Sequence, residues 1–309
     1  MTDDVCYPEL IIYEPDFLIN ITTISSCFET YAESPYVNLV NKIKPSPNTK
    51  PIHLGNFAGQ LLDEVVHGDD KPFSDSLKDF VRKNILQLIT CTELTNSKDF
   101  NQFCEDAKVQ RENIKNLISD ALPSYVSDYD SKKVLLEPSF ISEVLGIQGR
   151  LDFLYENNGN TLIIEQKSGK GDYAPTLLPP DEPAAREQHI VQLLLYRALF
   201  IYEFRRYANS MQHVMLLYSK YKRGLLDVPP MPELFLRAIR MRNLLAWCEI
   251  NYAEKGFDIL RNLTPNMMNK KGITGNLWDN YIKPQLTELL SPISKASPIE
   301  QNYYLRFMQ

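Results

Sequence analysis

The chain has no hydrophobic run approaching the ~18 residues that a membrane-spanning helix needs, so no membrane span is expected. It also lacks the cysteine spacings of a disulfide framework or a metal knuckle. Cys6, Cys27, Cys91, Cys104 and Cys248 are odd in number and form no C-x-x-C pair, which points to reduced thiols and a cytoplasmic location. The opening MTDDVCYPEL is acidic and lacks the charged-then-apolar layout of a secretory leader. Positive charge is not in excess: 33 Lys and Arg against 39 Asp and Glu leave a net charge of −6. That excludes a generally basic nucleic-acid coat, but not a local basic track beside an acidic site. Internal repeats, low-complexity segments and a sharp linker are likewise missing. With 309 residues, 44% of them apolar and 11% aromatic, the chain can bury a sizeable core, and 1–309 reads as a single domain.

Within that domain, residues 1–125 read as a mostly helical part, 130–250 as an α/β core and 255–309 as a helical extension. Apolar residues at helical spacing run through LGNFAGQLLDEVVHG, with Gly68 as a stop. Ser74 or Asp75 is expected to cap one continuous helix through Cys91, and a further helix is expected from Ser97 until Pro123 ends it. KVLLEPSFISEVLG reads as one strand run, followed by a hairpin, a Gly- and Pro-rich loop from Gly169 to Pro183, a helix over 182–208, a strand over 212–220 and a helix over 231–255. Helices, three strands, a helix and another strand suit an α/β fold with a mixed central sheet flanked by helices.

The hairpin carries the chemistry. In GRLDFLYENNGNTLIIEQKSG, Asn158-Gly159 lies between two β-rich runs, the strongest local signal for a two-residue type I′ turn. Asn157 then pairs with Asn160, and counting back places Asp152 opposite Glu165, their Cβ atoms roughly 5 Å apart. Alternation puts Leu151, Phe153, Tyr155, Leu162 and Ile164 on a core face. Arg150, Asp152, Glu165 and Lys167 lie on the other, with Leu154 and Ile163 nearer the turn. Like charges face to face destabilise a sheet, and a divalent cation would offset them. Two carboxylates converging on Mg²⁺ or Mn²⁺, with a lysine to orient a nucleophile or neutralise phosphoryl charge, is an arrangement for phosphodiester hydrolysis. The plainer alternative is a surface salt-bridge cluster, with Arg150 and Lys167 as counter-charges.

The following helix bears His189, Gln192 and Tyr196 on one face, at spacings of three and four. Together with GRLD and EQKSG, the H-x-x-Q-x-x-x-Y pattern resembles the RecB-type branch of the PD-(D/E)XK nucleases. The form is most similar to the nuclease domain of the replication and repair nuclease-helicases that process DNA flaps. MLLYSK and RMRNLLA extend the likeness, which spans about Leu54 to Ala246. The resemblance implies a restriction-endonuclease-like core and a DNA nuclease that prefers single strands and requires Mg²⁺ or Mn²⁺. It makes Asp152, Glu165 and the Gln166 carbonyl the metal ligands and Lys167 the catalytic lysine. Gln192 and Tyr196 steady the site and the strand, and Glu137 is an acidic position before the hairpin. Arg150, Lys170, His189, Lys220, Arg223, Arg240 and Arg242 are candidate DNA contacts, as is Arg237. A helicase is the expected partner, in a longer chain or as a separate one.

Two departures from the family pattern shape the expectations. Gly59 occupies the first-helix position where relatives often carry a metal-binding histidine, with His53 and His67 nearby but displaced. Ser34-Pro35 stands where an iron–sulfur relative has Cys-Pro, and only Cys248 follows Tyr196, so no four-thiolate cluster is expected. The missing histidine leaves room for an alternative, a module of the same fold that grips single-stranded DNA without cutting it.

Overall fold

The computed structural model describes residues 8–69, 71–126, 129–172, 181–204, 211–255 and 258–308. Cys6, the loop residues 173–180 and the end of the expected helix at 205–208 lie outside them. Read as one domain, the chain divides into two compact units: Pro45–Ser139 with Arg150–Pro230, and Met1–Lys44 with Phe140–Gly149 and Met231–Gln309.

The unit that carries the hairpin has four long helices: α1 (Lys50–Val66), α2 (Phe73–Lys83), α3 (Ser97–Asn116) and α4 (Glu187–Tyr202). Gly68, at φ 73°, closes α1 in the left-handed conformation expected just past a helix end, and the Asp69 N–H bonds back to the Glu64 carbonyl at 2.9 Å. Asn96 caps α3 by accepting the Asp99 N–H at 2.8 Å. The expected helix through Cys91 is broken. Pro72, not Ser74 or Asp75, sits at the N-cap of α2, and Asn84 ends it by bonding its side-chain amide to the Phe80 carbonyl at 2.9 Å. A short helix, Ile85–Thr90, follows. Nor does Pro123 end the run after α3. It sits in a short helix, Leu122–Tyr125, that follows α3 directly through a π-helical turn, Leu117–Ala121.

Five strands form this unit's sheet: β1 (Val134–Leu136), β2 (Phe153–Asn157), β3 (Asn160–Lys167), β4 (Met211–Tyr218) and β5 (Leu225–Asp227), side by side in that order. Asn158 and Gly159 both have positive φ, 50° and 82°, as a type I′ turn demands, and Asn157 pairs with Asn160 as the sequence predicts. β3 and β4 are parallel while every other described neighbour pair in this sheet is antiparallel. α4 falls between β3 and β4 in the chain, the crossover that parallel neighbours require. The expected single run KVLLEPSFISEVLG splits into β1 and a separate strand, Ser139–Ser142, because Glu137 turns with φ 50° and Pro138 follows it.

One sheet face, with Phe153, Tyr155, Leu162, Ile164, Met215 and Leu217, shares a buried cluster with Phe57, Phe80 and Phe103 of α1, α2 and α3. The Phe57 and Phe80 rings stack with centroids 4.6 Å apart. Each such aromatic contributes roughly 1.5–3 kcal/mol by leaving water. The opposite face was expected to be polar near the site and is buried as well. Leu154, Ile163, Val214 and Leu216 are all covered, and α4 packs on that side, itself buried from Val191 to Phe200 except at Arg197. A helix apolar on nearly every side is an interior one.

The other unit pairs Ile19–Asn20 with Ile147–Arg150 in parallel and adds Ser139–Ser142 as a third strand. Its longest described helix is Pro232–Lys255. Arg242 on that helix is 0% exposed. Its guanidinium donates to the carbonyls of Gly146 at 3.0 Å, Glu14 at 2.7 Å and Phe17 at 2.6 Å, and also to that of Tyr13. Among the described residues, no helix is long and apolar enough to cross a membrane.

Candidate active site

Asp152 lies one residue before β2, next in register to the Phe153–Ile164 pair, so the turn chemistry delivers it to Glu165. Its Oδ2 accepts the Gln166 N–H at 2.7 Å, which ties the carboxylate across to β3. Glu165 is 4% exposed. Its Oε1 accepts from Lys167 Nζ at 2.8 Å and from Gln192 Nε2 at 2.6 Å, and Gln192 Oε1 accepts from the same ammonium at 3.0 Å. Gln192 thus braces both charged groups of the E-x-K pattern. One turn on, Tyr196 donates to the Arg150 carbonyl at 2.6 Å and anchors the chain just before Asp152. Sequence reasoning brought these five residues together, and the structure does so.

The electrostatics follow from burial. Loss of water pushes the Glu165 carboxyl up to about 7, with Lys167 pulling it down and Asp152 pushing it further up. Burial likewise raises Asp152, partly countered by the Gln166 N–H and Lys167. Glu165 Oε2 is buried with no hydrogen-bond partner. A buried acceptor left unmade costs about 1–3 kcal/mol, more when charged, so an orphan oxygen here asks for a cation or a proton.

Asp152, Gln166 and Lys167 border a cleft of about 700 Å³, whose lining also includes Arg150, Glu137, Lys170 and His189; Glu165, Gln192 and Tyr196 are not among its lining residues. Glu137 pairs with Arg150 at 3.1 Å, and its N–H donates to the Asp152 carbonyl at 3.1 Å. Gly59 also faces this cleft, and a Cβ there would meet nothing within 4 Å. Three charged lining residues escaped the sequence reading: Asp63, Lys83 and Arg186. Asp63 had a usable signal, since it stands one helical turn beyond Gly59 and shares its face. Its carboxyl is raised by burial and then by Glu137. Lys83 and Arg186 carried no such signal.

The other expected residues fall elsewhere. His53 is buried with Nε2 2.6 Å from Asn48 Oδ1, and His67 Nδ1 lies 2.7 Å from the Asp63 carbonyl; neither borders the cleft. Arg223 lines a second cleft, of about 690 Å³, beside Asn113 and Tyr125, while Lys220 is exposed and borders neither. Arg240 is exposed in the other unit, and Arg237 there pairs with Glu33. Arg242 is a correction. Expected as a DNA contact, it is buried with four of its five N–H donors spent on backbone carbonyls and the fifth on Asn243 Oδ1 at 3.3 Å, so it has none to offer a phosphate.

The donor set is oxygen: one buried orphan carboxylate oxygen, a neighbouring carboxylate and a backbone carbonyl, chemistry that suits Mg²⁺ or Mn²⁺. Among the described residues, no group of three or more His, Cys, Asp or Glu gathers to hold a metal, so any ion here would keep several waters. No family model matches the chain, and no curated protein matches it.

Proposed function

We propose that this protein is a Mg²⁺- or Mn²⁺-dependent DNA nuclease with a PD-(D/E)XK-type core. The observation that carries the reading is the orphan oxygen of buried Glu165, next to Asp152 and to a lysine held in place by Gln192. Asp152, Glu165 and the Gln166 carbonyl would hold the ion. When bound, it supplies Lewis acidity to the phosphate and makes a water more acidic. The chain's own residues do the rest. Lys167, fixed between Glu165 and Gln192, presents its ammonium to the cleft to orient a nucleophile and offset developing charge. Tyr196 holds the strand that delivers Asp152. Arg150, Lys170, Lys83 and Arg186 on the cleft wall can receive phosphates. The substrate class is single-stranded or flapped DNA, with a helicase as the partner.

A second reading rests on Gly59 and on the scarcity of protein ligands: the fold grips single strands without cutting. End-labelled single-stranded DNA with free and blocked ends, incubated with Mn²⁺ or EDTA, separates the two. Cleavage that requires Mn²⁺ and is lost in Glu165→Gln supports the nuclease. Retention of uncut DNA supports the binding module, and neither cleavage nor retention removes both.

A further inference from the structure

His189 sits in the first turn of α4 and borders the cleft beside Lys167 and Arg186. Its ring lies against that of Tyr218 on β4, with centroids 5.6 Å apart, and its Nδ1 is 2.8 Å from the Tyr218 hydroxyl. That hydroxyl already accepts the Arg186 N–H at 3.1 Å. Tyr218 is fully buried, so its own proton needs an acceptor. Among the described residues, His189 Nδ1 is the acceptor at bonding distance. The phenol therefore donates to Nδ1, and the ring's single proton resides on Nε2. The groups that face the imidazole from the packed elements are Lys167 on β3, Arg186 at the start of α4 and Tyr218 on β4. Burial first, then the two cations, holds the ring down to about 3, so it stays neutral at ordinary pH. The Gln188 amide nitrogen is 3.5 Å from Nε2, at the outer limit of a bond and far longer than the 2.8 Å contact of Nδ1 with Tyr218.

We propose that Tyr218 is a positioning residue that locks His189 as the Nε2–H tautomer. The imidazole then acts as an uncharged hydrogen-bond donor to a phosphate oxygen in the cleft, not as a general base or a metal ligand. The donor role rests on the nuclease reading; the tautomer does not. A base would need a free ring lone pair facing the substrate, and the lone pair of Nδ1 is taken by Tyr218.

Two measurements test this separately. Long-range ¹H–¹⁵N spectra of the metal-free protein, with the His189 signal assigned from His189→Gln, should show a protonated Nε2 and a bare Nδ1 that do not change between about pH 5 and 8, since the unperturbed imidazole would titrate there. A protonated Nδ1, or a titration in that interval, overturns the lock. Tyr218→Phe should release it, producing mixed tautomers or a titration; an unchanged His189 signal in that variant also overturns it. Should Tyr218→Phe fail to fold, the wild-type spectrum still decides. For the donor role, His189→Ala should lower kcat/KM about ten- to a hundred-fold, the worth of a hydrogen bond to a charged group. His189→Gln, whose amide nitrogen reaches to the place of Nε2, should recover most of that loss. Full activity in the alanine variant refutes the donor. If the wild type does not cut DNA at all, retention of a labelled single strand in EDTA is the readout: weaker binding by His189→Ala supports the donor and unchanged binding refutes it.

Discussion

Two buried glutamates in the same unit have opposite surroundings. Glu64, on α1, is 6% exposed and fully partnered: Oε2 accepts from Ser76 Oγ at 2.5 Å, while Oε1 accepts from Gln60 at 2.8 Å and pairs with Lys71 at 3.0 Å. Burial pushes its carboxyl up, but Ser76, Gln60 and Lys71 more than offset that and leave it below the usual range. Glu165 is buried to a similar degree and keeps an empty oxygen, with its carboxyl above that range. Burial alone does not separate them; the unfilled lone pairs do. A carboxylate whose acceptor sites are all taken holds the fold together, whereas one left open is arranged around something the chain does not supply.

The sharpest way to break this contrast is activity. Asp152→Ala, Glu165→Gln and Lys167→Ala should each reduce cleavage by about 10³-fold or more, as expected for losing a group that acts on developing charge. Glu64→Gln should leave turnover per folded molecule unchanged. Initial rates at saturating Mn²⁺ decide, and undiminished turnover in any of the first three removes that residue from the site.

Stability without metal should show the reverse order. Glu64→Ala strands the buried Ser76 hydroxyl and should cost about 1–3 kcal/mol in urea unfolding. Glu165→Gln should be neutral or stabilising in EDTA, because it removes an unsatisfied charge beside Asp152. A large loss in Glu165→Gln would mean that Glu165, too, is a structural carboxylate.

The pH dependence sharpens the comparison further. The folded Glu165 carboxyl lies near 7, above its ordinary value of 4.5, so the folded state holds a proton that the unfolded chain has released. In EDTA, its contribution should be fully present below pH 4.5 and decline as pH rises toward 7. Glu64 has the opposite sign: its contribution is present above its ordinary value and is lost as pH falls through the lowered one. Thermal melts of wild type and Glu165→Gln across this range should differ in slope. Mn²⁺ should stabilise the wild type increasingly at higher pH, because the ion competes with that proton.

The smallest expected effect is at Gly59. Calorimetry should find weak Mn²⁺ binding in the wild type, activity rising over a high range of Mn²⁺, and less activity with Mg²⁺. Gly59→His has open space for its Cβ and should tighten Mn²⁺ binding, while adding up to about 0.5 kcal/mol from helix propensity. Tight wild-type binding would show that the ligand set is larger than the three oxygens named.

Much of the hairpin was legible because two independent signals agreed. Asn158-Gly159 fixes the turn, alternation fixes the face, and a one-residue slip would turn Glu165 onto the face that packs against Phe57, Phe80 and Phe103. The helix spacing of Gln192 and Tyr196 was equally plain. The burial of Leu154 and Ile163 was hinted at by the unbroken apolar run Leu162-Ile163-Ile164, the mark of a strand covered on both sides. Asp63, Lys83 and Arg186 come from three elements that only tertiary packing brings to one cleft. Arg242 was misplaced because one arginine on a helix reads as surface, and the carbonyls that hold it belong to residues far off in sequence.

That distance has a consequence for the order in which the protein is made. Tyr13, Glu14 and Phe17 leave the ribosome well before the arginine that binds their carbonyls, which comes more than 220 positions later. At about 5–20 residues per second, these carbonyls wait on the order of 10–50 s for their partner. The unit that holds Asp152 and Glu165 is complete by Pro230, before Arg242 has been added. During synthesis the hairpin and its cleft can therefore close while Tyr13, Glu14 and Phe17 are still unclaimed, so nascent chains should acquire a protease-resistant fragment around the hairpin before those residues become protected.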